Sequence, residues 1–377
     1  MTKKKRKLLE DVQSPEADRV NEPSSKYQES TFVVSVIITR MVTSAQTKSW
    51  ALLPTFLRFE YLSVAVIFPL IGSATSTTQL TGFQLLGILG GAFAFHIYVS
   101  LLNDIIDLPL DRTNLARADY PLVSGRISLS TALFITLIHI PLAAVIIYWQ
   151  SGSTTAYFAM ALALGMMTIY NIWGKRSSFP PAIDVIQGIG FSSLALFGAA
   201  LTGGLTPLSW LTFTLGVLWM MIINLLGGLR DLHSDLAFGV NTTPIYFGMR
   251  PYGKEETLPS FVPYYGYILH GLMMAGGILV ILWIGYPNWL AVVLGILSVL
   301  GGATALFFLI TMFDAVTRDY DTMVLTGLRY IGTSAAALFL TLLPALPWWA
   351  ALSVIFMFFW RYRDYSLTPI LAYWQHR

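Results

Sequence analysis

Long apolar stretches of this sequence are interrupted by charged residues at wide intervals, and the spacing predicts paired membrane helices. Asp, Glu, Lys and Arg are absent from residues 61–103, 127–174, 185–229, 257–313 and 330–360. A helix crosses the hydrocarbon core of a bilayer in about 20 residues, so each of the first four stretches holds two. Each also has an uncharged, turn-like centre: Ser73-Ala74-Thr75-Ser76, Gln150-Ser151-Gly152-Ser153, Thr202-Gly203-Gly204 and Gly285-Tyr286-Pro287-Asn288. The fifth stretch is split by Leu343-Pro344-Ala345-Leu346-Pro347 and, extended back to Thr322, leaves room for a tight hairpin. The expected fold is an all-α membrane protein, a bundle of nine or ten transmembrane helices arranged as successive hairpins around a central cavity.

This pattern puts the charged connectors 104–126, 175–184, 230–256 and 314–329 on one side of the membrane, together with the N-terminal run Lys3-Lys4-Lys5-Arg6-Lys7. Lys and Arg accumulate on the cytoplasmic side, which makes that face cytoplasmic. Residues 1–48 read as a polar cytoplasmic tail. Within it, Phe32, Val33, Val36, Ile37 and Met41 recur near helical spacing and predict an interfacial helix over 31–48. Residues 49–345 form the main domain, and 346–377 are an extra hydrophobic segment with a tail. Glycines inside the spans, such as Gly87, Gly90, Gly91, Gly276 and Gly277, read as close helix packing.

Composition narrows the function. The chain is 55% hydrophobic and 11% charged, against roughly a quarter charged in soluble domains, so membrane lipid is its surroundings. It contains no cysteine, which excludes disulfides, thiolate nucleophiles and Cys-ligated metals. A net charge of +3, dispersed among connectors, leaves no nucleic-acid footprint.

Two acidic motifs carry the chemistry. At the end of the second span the chain reads Asn103-Asp104-Ile105-Ile106-Asp107-Leu108-Pro109-Leu110-Asp111-Arg112. At 100° per residue, Asn103, Asp104, Asp107 and Asp111 fall within an arc of about 100°. Carboxylates so close repel one another without a cation. Pro109 cannot donate its backbone hydrogen bond, and the helix is expected to loosen there. The second motif, Arg230-Asp231-Leu232-His233-Ser234-Asp235, closes the sixth span with two carboxylates at i and i+4, and Asn224 lies further back on that face. Hard oxygen ligands suit Mg²⁺, which takes one or two carboxylates and completes its shell with water and phosphate oxygens. Candidate metal ligands are thus Asp104, Asp107, Asp111, Asp231 and Asp235. Arg58, Arg112, Arg117, Arg126, Lys175, Arg176 and Arg230 are the candidate cations for a diphosphate, with Asn103 beside them.

At these residues the sequence resembles the UbiA superfamily of intramembrane prenyltransferases, whose signatures are N-D-x-x-D-x-x-x-D and D-x-x-x-D. Asn103, Asp104, Asp107 and Asp111 meet the first in full. Pro121-Leu122-Val123-Ser124-Gly125-Arg126-Ile127-Ser128 is similar to the family's continuation of it. Asp231 to Asp235, followed by Gly239, Thr242 and Pro244, is similar to the second motif and its continuation. Tyr170 with Lys175-Arg176 is similar to a Y-x-x-x-K-R element, with one extra residue in between. The resemblance spans about residues 50–345.

It implies an enzyme that moves a prenyl group from an allylic prenyl diphosphate to a hydrophobic acceptor, commonly aromatic or quinoid. Mg²⁺ and the cations would stabilise the departing diphosphate, and aromatic faces such as Phe93, Phe95, Tyr98, Trp173 or Trp219 would shelter the allylic cation. His96 shares a helix face with Asn103, but His96, His139 and His270 read first as satisfied core residues, and His233 as a loop residue. A terpene cyclase of the same superfamily would ionise the same donor. A cation-coupled transporter would keep its carboxylates near the bilayer midplane rather than at helix ends. A CDP-alcohol phosphotransferase would need a D-G-x-x-A-R half-motif that is missing.

Overall fold

A computed structural model describes residues 53–113, 117–150, 152–250, 258–315 and 320–358, and the helices named below lie in one unit, residues 54–377. The expected tail 1–48 and its interfacial helix lie outside the described residues. Ten helices form the frame: α1 Leu62–Ser73, α2 Gly82–Asp111, α3 Leu129–Gln150, α4 Thr154–Trp173, α5 Pro180–Thr202, α6 Pro207–Arg230, α7 Phe261–Ile284, α8 Asn288–Ala315, α9 Tyr320–Phe339 and α10 Trp348–Phe358. Each packs against its neighbour in sequence from α1 to α9, while α1 also packs on α5 and α9 on α6. The described residues contain no strand.

Seven of these helices, α2 to α8, are long and apolar enough to cross a membrane. Helix α1 has twelve residues, α10 has eleven described residues, and α9 interrupts its apolar run with Asp321 and Arg329. The chain is a multi-pass integral membrane protein. Large apolar side chains such as Phe134 and Leu137 on α3, and Val292 and Phe307 on α8, face outward, as lipid contact requires.

The four predicted uncharged turns all fall between helices. The ends around them are capped and cross-linked. Thr81 with Gln84, and Thr206 with Ser209, form capping boxes at the starts of α2 and α6, satisfying backbone donors that a helix start leaves open. Thr77 donates to the Gly203 carbonyl at 3.0 Å, Gln84 to that of Leu201 at 3.0 Å, and Thr206 to that of Thr75 at 2.7 Å. Exposed Trp149, Trp210, Trp283, Trp289 and Trp348 cluster near these uncharged ends, where an aromatic belt meets the lipid headgroups.

Small residues bring backbones together. A Cβ added to Gly72 would lie 1.9 Å from the Ala195 carbonyl oxygen, and one on Gly198 the same distance from that of Pro69, so α1 and α5 touch main chain to main chain. Gly91 and Gly276, expected to serve packing, face Phe197 and Leu215 at 2.5 and 2.2 Å by the same measure, whereas a Cβ on Gly277 would meet Leu338 in ordinary contact at 3.6 Å.

One expectation fails. Helix α2 does not loosen at Pro109 but stays helical to Asp111. Pro109 lies in the final turn, so the single ladder bond it withholds, to the Ile105 carbonyl, is lost with only two helical residues left to displace.

Candidate active site

A cavity of about 720 Å³ opens among the helices, lined mainly by α1, α2, α4, α5, α6 and α9. Its polar rim includes Arg58, Asn103, Asp107, Lys175, Arg230, Asp231 and Asp235, which lie towards the helix ends that bear the charged connectors. Its interior is aromatic. Phe68 lies 6.0 Å from Trp219, Phe95 5.4 Å from Phe191, and Trp219 5.8 Å from Phe339, measured between ring centroids. The Trp219 indole is fixed by a 3.2 Å hydrogen bond to Ser334 Oγ. Of the aromatic residues picked from the sequence, Phe95 and Trp219 line the cavity, while Phe93, Tyr98 and Trp173 do not.

The first motif divides along its helix. Asp107 faces the cavity, accepting from Lys175 Nζ at 2.7 Å and from Asn103 Nδ2 at 3.1 Å. Asn103 is in turn tied to Asn171 at 3.4 Å, and Asn171 to the Val99 carbonyl at 3.3 Å. Asp104 and Asp111 are buried but do not line the cavity. Asp104 pairs with Arg58, and Asp111 with Arg117 Nη1 at 2.9 Å. Arg58 adopts a left-handed backbone, φ 48° and ψ 45°, a conformation that costs a non-glycine residue about 1–2 kcal/mol. The turn it forms delivers its guanidinium to both Asp104 and Asn103.

The second motif is not one continuous helix face. Helix α6 ends at Arg230, Asp231 is its cap, and Asp235 belongs to a short helical segment, Leu232–Ala237. The Asp235 backbone N–H still donates to the Asp231 carbonyl at 2.9 Å, so the two carboxylates stay close. Burial and the neighbouring Asp231 charge push the Asp235 carboxyl up to about 6, against the pull of Lys175 and Arg230. Arg230 clamps Asp231 through two hydrogen bonds of 2.8 and 2.7 Å.

Among the described residues no three His, Asp or Glu side chains converge as a ready-made metal site. The donor set nevertheless fits Mg²⁺, which needs only one or two carboxylates when phosphate oxygens complete its shell. Asp107, Asp231 and Asp235 face one cavity, and the repulsion felt at Asp235 is what a divalent cation would relieve.

Other residues singled out from the sequence sit elsewhere. Arg112 and Arg176 are exposed and Arg126 pairs loosely with Asp119 at 3.8 Å, and none of the three lines the cavity. Tyr170 does line it. His96 also lines the cavity, its ring bonded to the Leu57 carbonyl at 2.9 Å, whereas His139 is satisfied by the Ile135 carbonyl at 2.6 Å and His270 faces Tyr330 Oη at 3.3 Å. The side chain of His233 lies outside what is described. Sequence reading passed over Asp184, a buried cavity residue hydrogen-bonded by Thr243. It stands alone in its connector, with no motif to mark it.

The chain is similar to several known proteins. The chain is 29% identical over 159 residues to a 4-hydroxybenzoate octaprenyltransferase of Tolumonas auensis, covering 42% of this chain and 54% of the relative. It is 30% identical over 169 residues to a 2-acyl-4-prenylphloroglucinol 6-prenyltransferase of Humulus lupulus, covering 41% and 40%. It thus spans about half the length of the curated relatives it matches. The fold is similar to that of a UbiA homolog from Aeropyrum pernix K1, with a TM-score of 0.54 at 20% identity over 73% of this chain and 96% of that one. It is also similar to a UbiA homolog from Archaeoglobus fulgidus bound to GPP and Mg²⁺, with a TM-score of 0.56 at 16% identity over 76% and 98%. Both acidic motifs fall within residues 65–322, which match the profile of the UbiA prenyltransferase family, and with that match covering most of the chain, the protein belongs to this family.

Proposed function

We propose that this protein is a Mg²⁺-dependent intramembrane prenyltransferase that moves a prenyl group from an allylic prenyl diphosphate to an aromatic or quinoid acceptor and releases diphosphate. One observation carries the reading: Asp107 and Asp235, on segments more than 120 residues apart, line a single cavity whose interior is aromatic. The charged rim suits a diphosphate and the aromatic interior suits an allylic chain.

Asp107, Asp231 and Asp235 would hold the metal, which supplies charge neutralisation to the departing diphosphate. Lys175 and Arg230 lie beside the same carboxylates and can reach diphosphate oxygens, and Asn103 orients Asp107. Asp104 and Asp111 act from behind, each held by an arginine. Phe68, Phe95, Phe191, Trp219 and Phe339 present aromatic surface that attracts an allylic cation and excludes the water that would trap it. By the distribution of charge, the rim faces the cytoplasm.

The second reading, an intramembrane terpene cyclase, would need no acceptor. Purified protein incubated with GPP and Mg²⁺ should release diphosphate quickly only when a phenolic acceptor is present. Rapid release with donor alone and a cyclic hydrocarbon product would establish the cyclase instead.

A further inference from the structure

Asp184 sits near the start of α5, 7% exposed, and lines the cavity. Thr243, from the short helical segment Thr243–Tyr246, donates its hydroxyl to Asp184 Oδ2. Of the cavity-lining atoms buried without a hydrogen-bond partner, Gln187 Oε1, Asn224 Nδ2 and Thr242 Oγ1 belong to residues beside Asp184 or Thr243 or on the facing helix, while Ser63 Oγ lies on α1. The Asn224 amide faces Asp184 but does not reach good bonding geometry. Buried polar atoms left open are costly, and open atoms on α5, α6 and the adjacent loop around one carboxylate describe a subsite that awaits a polar ligand group.

The charge of that ligand follows from the cavity's own ions. The cations lining it among the described residues are Arg58, Lys175 and Arg230, and each already faces an aspartate: Asp104, Asp107 and Asp231. None is placed on Asp184. A ligand carboxylate here would meet a buried carboxylate with no counter-ion, whereas a hydroxyl would donate to it. We infer that Asp184, positioned by Thr243, is the acceptor-recognition residue, and that the acceptor is an uncharged hydroxyaromatic whose ring hydroxyl donates to Asp184. This deepens the prenyl-transfer reading and rests on it for the ligand's role as acceptor. It also sets this cavity apart from one that takes 4-hydroxybenzoate as its anion.

The test needs two hydroxyaromatics of similar shape, one charged and one not: 4-hydroxybenzoate and its methyl ester. Full-length protein in detergent is titrated calorimetrically with each, and separately with GPP and Mg²⁺. The ester should bind about tenfold more tightly than the acid, because a buried site built for one polar partner discriminates strongly against a mismatched one. Asp184→Asn should weaken the ester about tenfold, shrink its advantage over the acid, and leave GPP affinity unchanged. Should that variant fail to fold, Thr243→Val keeps the volume and should weaken the ester several-fold. Tighter binding of the acid by the unaltered protein, or ester affinity unchanged in either variant, overturns the assignment. Ester binding that behaves as stated while GPP fails to bind would support the subsite and count against prenyl transfer.

Discussion

Lys175 Nζ lies 2.7 Å from Asp107 Oδ2, across 68 residues of sequence. The pair joins the end of α4 to the end of α2, and both residues line the cavity. Its lysine side chain is 44% exposed and its aspartate side chain 11%, so the lysine can shift toward a ligand while the carboxylate stays in place. Lys175→Ala should therefore raise the KM for prenyl diphosphate and leave that for the acceptor unchanged. A hydrogen bond to a charged group contributes about 1.5–3 kcal/mol, and with partial exposure the rise should be roughly tenfold. Unchanged donor kinetics would reduce the pair to a topological marker.

Asp107→Asn and Asp235→Asn keep size and remove charge. Each should lower turnover by about two to three orders of magnitude, as loss of a main charge-stabilising group does. The double variant should be scarcely worse than the poorer single one, because groups acting as a unit fail together. Measured kcat for all four proteins closes the cycle. A silent Asp235→Asn beside a dead Asp107→Asn would remove the second motif from the site.

The pH dependence of stability follows from Asp235. Its carboxyl is raised to about 6, above the unfolded value of about 3.9. Between those values the folded protein holds a proton that the unfolded chain releases, so stability falls as pH rises through about 6. In EDTA, melting temperature should drop over that window in the unaltered protein, and Asp235→Asn should flatten the drop. Added Mg²⁺ should recover stability above pH 6. A profile unaffected by Asp235→Asn would refute the assignment.

These residues also show what a sequence can and cannot disclose. Hairpin turns were readable because charge is expelled from spans, an effect that acts residue by residue and leaves its mark in the linear order. The two acidic motifs were readable because their carboxylates recur at helical spacing. Asp184 was not, since its partner Thr243 lies 59 positions away and no local pattern joins them. Nor was the division of the first motif, in which Asp107 faces the cavity while Asp104 and Asp111 turn to arginines. That outcome depends on where Arg58 and Arg117 arrive in space. The break after Arg230 was equally hidden, because i and i+4 spacing looks the same in one helix or in two joined by a cap.

The orientation of the bundle can be checked chemically because the chain has no cysteine. Gln79→Cys, in the uncharged turn between α1 and α2, and Ser178→Cys, in the connector between α4 and α5, should react with an impermeant maleimide from opposite sides of sealed vesicles. Labelling from one side would overturn the hairpin arrangement.

The crossing of α1 and α5 is the most exacting packing in the fold. Gly198→Ala would drive a methyl to 1.9 Å from the Pro69 carbonyl oxygen, and overpacking costs about 1–3 kcal/mol or more. Its melting temperature should fall well below that of Gly165→Ala, where the new methyl meets nothing within 4 Å. Equal melting temperatures would show that the two helices can part without penalty.

The two rims of this bundle differ in mechanical character. At the uncharged rim the turns beside α1, α2, α5 and α6 are stitched by side-chain hydrogen bonds to one another's carbonyls, and a row of tryptophans anchors nearby helix ends in the headgroup layer. At the opposite rim the connectors 112–128 and 231–260 are long, and helix ends are held by ion pairs such as Lys175 to Asp107, which a competing anion or cation can dissolve. On the proposed function a diphosphate would lie at the charged rim, where the ions that would bind it are the same ones that now hold those helix ends together.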